Sequence, residues 1–281
     1  MTALVFRHLK LYFRNKSNVF FSILGALIAF VLYLVFLQKN LETSWKQIPD
    51  SQLLLDLWVM GGVLAVTGIT TAWTGAAKIV VDKERQVWDD FILTDLSPFK
   101  IQLSYLLSAS LIALVMQAFL FAVMAAYFSW QDGLTIPLAL YPQLLLVAVI
   151  SAVSAALLSV IIVQFLSSTE AEGRLGTIIG TASGFLVGVY VPIGVLPTMA
   201  QNVIKCVPGA YVASLYRQLL MTEKLDGLNI PLAQFKELMG IGLKLEHLTT
   251  EADTYKILVL VIGLEALILL AVVLTKTAKK V

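Results

Sequence analysis

The chain contains few groups that can do chemistry inside an apolar medium, and they are widely spaced. Glu265 falls near the middle of the last apolar run, Ile257–Thr275. A charge at that depth costs several kcal/mol, about 2.5–3.5 on insertion scales, so such a residue is a functional candidate by default. It can bind a cation, relay protons or touch a polar substrate group. Its bland role is a protonated or hydrogen-bonded side chain facing neighbouring helices. The remaining chemistry is thin. Cys206 is the single cysteine, which excludes an internal disulfide and a cysteine metal cluster. His8 and His247 both lie outside the apolar runs, which argues against haem ligation or histidine catalysis within them. Ser183-Gly184 has no histidine in any apolar run to act as its base, and paired intramembrane aspartates are lacking. No Gly-x-x-x-x-Gly-Lys-Ser/Thr loop is present, so ATP is not cradled in the P-loop manner.

Three segments carry more than packing information. Between Asp82 and Lys100 the chain reads Asp-Lys-Glu-Arg-Gln-Val-Trp-Asp-Asp-Phe-Ile-Leu-Thr-Asp-Leu-Ser-Pro-Phe-Lys. Val87, Trp88, Phe91, Ile92 and Leu96 line one side of a short helix that Pro98 ends, with Glu84, Asp89, Asp90 and Asp95 on the remainder. Many charges around a large aromatic suit a docking lever; the alternative is an interfacial helix that caps a helix pair. Gly176, Gly180, Gly184 and Gly188 recur every four residues, close to one helical stripe. Small residues let helices approach closely in lipid, either within the subunit or at a dimer contact or moving gate. Gly188, Tyr190, Pro192 and Pro197 then break that run near its outer end. Non-helical backbone at membrane depth needs protein or a water-filled cavity around it, so a re-entrant turn lining a pathway is expected, with a plain loop as the alternative.

The elements that must position these residues follow from composition. Hydrophobic residues make up 59% of the 281, charged residues only 14%, and mean hydropathy is +0.87. Soluble domains carry roughly 25% charged residues, so much of this exterior faces lipid. The net charge of +2 gives no case for nucleic acid. Six runs are long enough to span a bilayer: Val19–Leu37, Leu53–Val81, Leu103–Phe128, Leu138–Leu166, Thr177–Leu196 and Ile257–Thr275. The second and fourth exceed the minimum and are expected to tilt or protrude. Period-two alternation is absent, which disfavours a β-barrel. The fold class is therefore all-α, a single polytopic transmembrane domain over 1–281.

Basic residues set the orientation. Arg7, Lys10, Arg14, Lys16, Lys78, Lys83, Arg85, Lys100, Arg174, Lys276, Lys279 and Lys280 fall on one side, against Lys39 and Lys46 in the short loops of the other. Both termini are placed in the cytoplasm. The first run is followed by Gln38-Lys39-Asn40 rather than a small-residue cleavage site, so it reads as a retained helix. Before it, Val5, Leu9, Tyr12 and Phe13 recur at helical spacing while Arg7, Lys10 and Arg14 share another face, the pattern of an amphipathic helix lying on membrane lipid. From Pro208 to Lys256 the chain is polar enough to form a small extracellular helical cap.

The amphipathic start, Lys83-Glu84-Arg85 through Trp88-Asp89-Asp90 to Thr94 and Ser97-Pro98, and the series Gly188, Pro192, Pro197, Pro208 and Arg217 together resemble the exporter-type (type V fold) permease subunits of ATP-binding-cassette transporters. The resemblance covers nearly the whole chain. It implies a homodimer of permeases with two separate ATPase subunits in a bacterial or archaeal plasma membrane. This chain would bind no cofactor, ATP and Mg being held by the partner. It also implies that residues 1–17 form the connecting helix, 82–98 the coupling helix, and 198–255 the re-entrant and extracellular segment. Glu84, Arg85, Val87, Trp88, Asp89 and Phe91 would then contact the ATPase. Gly180, Gly184, Gly188, Tyr190, Pro192 and Pro197 would form the pathway, gate or dimer packing. One departure stands out: the family often carries a glycine where Gln86-Val87 stands here. The implied activity is multidrug-type efflux of a drug, peptide or lipid-like substrate, without catalysis by this chain. The competing readings are a proton-coupled secondary transporter using Glu265, which would need inverted repeats that the two halves do not show, and a scaffold or immunity protein without transport.

Overall fold

A computed structural model describes residues 1–38, 50–94, 96–225 and 231–278, with side chains up to 275. Lys39, Lys46, Asp95, Lys279 and Lys280, which entered the sequence reading, lie outside the described residues, as does the side chain of Lys276. The described residues are helical with one isolated bridge, Lys244 to Leu248. We number the helices α1 (Thr2–Arg14), α2 (Lys16–Leu32), α3 (Ser51–Glu84), α4 (Val87–Ile92), α5 (Pro98–Asp132), α6 (Tyr141–Val163), α7 (Thr169–Leu186), α8 (Thr198–Lys205), α9 (Pro208–Leu225), α10 (Leu232–Met239) and α11 (Glu251–Ala278). Tyr33–Leu37 continues α2 as a π-helical turn.

Among the described residues, five helical segments are long and apolar enough to cross a membrane: Lys16–Leu37, Ser51–Glu84, Pro98–Asp132, Leu138–Val163 and Glu251–Thr275. With the family assignment below, the chain is a multi-pass membrane protein. The fifth expected run is built differently. Its helix starts earlier, at Thr169 with Glu170, Glu172 and Arg174 in its first turns, and ends at Leu186, ten residues before the apolar run does. The second run forms a long helix as expected, α3 with 34 residues, but the longest described helix is α5 with 35, from the third run rather than the fourth. Polar residues at their ends continue the helix beyond the apolar stretch, which hydropathy alone does not register.

α3 is the axis of the bundle. It packs against α2, α5, α6, α7 and α9, and its apolar window is almost wholly enclosed. That explains its low amphipathicity: a helix surrounded by others is apolar on every side. α11 sits at the periphery against α6 and α9, facing mostly outward. Small residues set the closest crossings. A Cβ at Gly75 would lie 2.8 Å from Ala109 Cα on α5, and one at Gly61 would lie 2.9 Å from Arg217 Cγ on α9.

Two local expectations change. α1 docks on α5 through Leu4, His8 and Tyr12, whereas Phe13 is exposed and Val5 and Leu9 are half-buried. An interfacial helix can present one apolar stripe to protein and another to lipid, so composition alone does not say which stripe is which. Pro98 does not end the short helix. α4 stops at Ile92, and Pro98 occupies the first turn of α5 behind the Ser97 cap, where a missing N–H costs nothing.

Candidate functional site

The basic end of α3 carries the densest polar cluster. Asp82, in its last turn, is 1% exposed. It accepts hydrogen bonds from Arg7 Nη1 at 3.0 Å and from the Tyr105 hydroxyl at 2.7 Å, and Lys78 Nζ lies 3.0 Å from its other oxygen. One carboxylate thus ties α1, α3 and α5 together. Buried beside it, His8 stacks on Tyr105 with ring centres 4.1 Å apart, and its Nδ1 is 3.2 Å from Ser108 Oγ. Burial lowers the His8 imidazole to about 4, Arg7 adding to the effect, so the ring stays neutral.

α4 is fastened to this cluster. Gln86 turns the chain with a left-handed φ of 61°, the conformation a glycine supplies without strain. The helix that follows stacks Trp88 on Tyr105, centroids 5.7 Å apart, under Lys83 Nζ at 5.3 Å. Arg7 lies over the Phe91 ring at 5.1 Å. Both aromatics expected to seat in a partner are therefore engaged by the chain's own cations and rings, and Val87 is half-buried beside them. The outward face carries Asp89, Asp90, Ile92 and Leu93, the last 86% exposed. Glu84 accepts from the backbone N–H of Thr169 at 3.2 Å, reaching the start of α7. Arg85 is exposed at the edge of a groove.

That groove runs between α2, α3 and α7 with a volume of about 1170 Å³. His8, Asn18, Lys78, Arg85 and Glu172 line one end; Leu32, Phe36, Phe185 and Tyr190 line the other. The glycines of α7 divide their work along it. Gly176 lies under Trp73, whose indole N–H donates to Glu172 at 2.8 Å. Gly180 meets Gly25 of α2, whose Cβ would lie 3.0 Å from the Gly180 carbonyl. Gly184 receives the folded-back Tyr190 ring, and Gly188, at φ 65°, makes the turn that ends the helix. Pro192 then opens a short 3-10 turn, Ile193–Val195, and Pro197 precedes α8.

The far side is pinned by a residue that enters the sequence reading only as part of the resemblance. Arg217, on α9, is fully buried. Its guanidinium donates to the carbonyls of Gly188 at 2.9 Å, Trp58 at 3.2 Å and Gly240 at 3.4 Å, and lies 4.7 Å above the Trp58 ring. Trp58 in turn donates to the Met239 carbonyl at 2.7 Å. The polar character of this stretch suggested an exposed cap. Instead α9 packs on α3, and Ser214 and Arg217 turn inward to carbonyls exposed where α7 and α10 end.

Glu265 stands apart from the groove. It is 5% exposed between α11 and α6, where Ser154 Oγ donates to its Oε1 at 3.2 Å.

The family described as ABC-2 type transporter matches residues 1–221. No curated protein matches the chain. In that family the membrane component pairs with an ABC ATPase, and ATP hydrolysis resides in the separate subunit. The match spans the amphipathic start, the α4 loop, the α7 turn and Arg217, and on that basis the chain belongs to the ABC-2 type transporter family, as a permease subunit of an ABC transporter.

Proposed function

We propose that this chain is the permease of an ABC exporter, working as a homodimer with two ATPase subunits that hold ATP and Mg. It moves an amphipathic or hydrophobic substrate, such as a drug, peptide or lipid-like molecule, out of the cytoplasm or inner leaflet of the plasma membrane. In this reading α7 and the turn after it supply a sixth crossing, and both termini are cytoplasmic. The observation that carries it is mechanical continuity. α4 is locked through Trp88, Tyr105 and His8 to the Asp82 cluster, and His8, Lys78 and Arg85 border the groove.

A displacement of α4 by a docked ATPase is thereby passed to α1 and α3 and changes the width of the groove. Leu93 and Ile92, flanked by Asp89 and Asp90, make the docking contact. Trp88 and Phe91 act as the linkage behind it. The groove suits an amphiphile, since one end is polar and the other aromatic and apolar.

The test is reconstitution with the cognate ATPase. Leu93→Asp is expected to abolish co-purification of an ATP-hydrolysing complex. Trp88→Ala is expected to preserve the complex and its hydrolysis while transport falls up to about tenfold, since an aromatic pair is worth about 0.5–1.5 kcal/mol. Transport by the chain alone in ATP-free vesicles, driven by an ion gradient, would overturn the reading.

A further inference from the structure

Asp56, in the second turn of α3, is fully buried. Tyr33, from the π-helical end of α2, donates its hydroxyl to Asp56 Oδ1 at 2.6 Å. One turn earlier on α3, Gln52 donates its side-chain amide to Oδ1 of Asp132, the last residue of α5. Gln52 and Asp56 share a helix face at i, i+4. The Gln52 bond therefore brings Asp132 beside Asp56, and the two carboxyl groups lie within hydrogen-bonding reach of each other. Each is steadied through one oxygen by a neutral donor. The other oxygen of each, Oδ2, is buried and receives no hydrogen bond.

No described cation offsets this pair. On α9, Lys224 engages Asp50 and Arg217 is caged by carbonyls. α6 carries no charged residue, α2 has only Lys16 at its opposite end, and the charges of α7 lie in its first turns, also far away. Lys236 and Glu237 sit on α10, with Glu237 paired to Lys244. Two ionised carboxylates this close, Asp56 fully buried and Asp132 half-buried, repel each other, so a small cation belongs between their free oxygens. A calcium ion would want six to eight oxygen ligands. Among the described residues no third acidic, histidine or cysteine side chain joins the pair, and Asp56 is closed to the water that would complete a metal shell. A proton needs only the two oxygens.

We propose that Asp56 and Asp132 bind a single proton between their free oxygens, forming a proton-operated lock across the outer ends of α2, α3 and α5. With the proton in place, one carboxyl donates its O–H to the other. When it leaves to water, two like charges remain and the helix ends are driven apart. The lock does not rest on the exporter reading and stands if that reading fails.

The test is thermal unfolding of the full chain in lipid nanodiscs between about pH 6 and pH 9. The wild type is expected to lose about 5 °C or more in Tm on going to the alkaline end. Asp56→Asn and Asp132→Asn should each keep the acid-side Tm and flatten the profile, because an amide replaces the donating carboxyl. Infrared difference spectra between the two pH values should show a protonated-carboxyl C=O band that Asp56→Asn removes. If Asp56→Asn does not fold, Asp132→Asn and the wild-type infrared band carry the test. A wild-type profile retained in both variants, or no such band, overturns the proposal. So does a Tm that falls with EDTA and recovers with Ca²⁺ or Mg²⁺ in the wild type only, which would assign a metal instead.

Discussion

Asp82 and Arg217 are both buried charges that join helices, yet they are held in opposite ways. Asp82 is an acid surrounded by side-chain partners from three helices: Arg7, Lys78 and Tyr105. Arg217 is a cation held by three backbone carbonyls and one indole face, and among the described residues no carboxylate pairs with it. Side-chain partners on long stems can rearrange as helices shift. Carbonyls at helix ends cannot move without moving the backbone. The first arrangement suits a joint and the second a fixed pin.

Removing the pin should have the largest effect. Arg217→Met leaves carbonyls buried without donors, and three charge-assisted bonds set a loss of about 4 kcal/mol or more. Arg217→Lys should rescue little, because an ammonium cannot reproduce the planar fork. Chemical or thermal unfolding in detergent measures both, and a Lys variant as stable as the wild type would erase the contrast. Next comes Asp82→Asn, which leaves Arg7 and Lys78 beside a neutral amide. About 2–3 kcal/mol is expected, felt as undocking of α1 rather than global unfolding, and hydrogen exchange across Thr2–Arg14 reads it.

Acid should loosen the joint by a related route. His8 titrates at about 4 in the docked helix against 6.5 when free. Its folded value is depressed, so the undocked state takes up the proton first. Docking is fully stable above about pH 6.5, weakens as pH falls towards 4, and has lost up to about 3 kcal/mol below that. His8→Gln should remove this dependence in the same exchange measurement. The smallest effect is expected at Gln86, where Gln86→Gly relieves a left-handed φ. The gain is at most about 1 kcal/mol, offset in part by backbone entropy, and is visible as a small rise in Tm.

Much of the fold was legible because hydropathy runs are a one-dimensional property. The α2, α3, α5, α6 and α11 spans, the amphipathic start and the breaks at Gly188 and Pro197 all follow from residue order. The turn at Gln86 was not foreseen; the resemblance marked Gln86-Val87 only as a departure from a frequent glycine, and the left-handed φ of 61° came with the structure. Other features stayed hidden for definite reasons. The contacts of Trp88 with Tyr105 and Lys83, and of Phe91 with Arg7, were not legible, because an aromatic among charges gives no clue to which cations it will meet. The inward turn of Arg217 and Ser214 on α9 was not legible, since a polar residue does not announce that carbonyls near two helix ends will converge on it. Asp56 lies inside the second apolar run and Asp132 just past the third, 76 positions apart (132 minus 56). They became a pair only when α3 and α5 were set side by side.

The sequence by itself determined the medium, the helices and the end that carries the basic residues, because transfer free energy and charge counts add along the chain. Tertiary structure alone decided which buried charges meet side chains, which meet carbonyls and which meet each other. Those contacts depend on neighbours from distant segments and on the water that their packing removes.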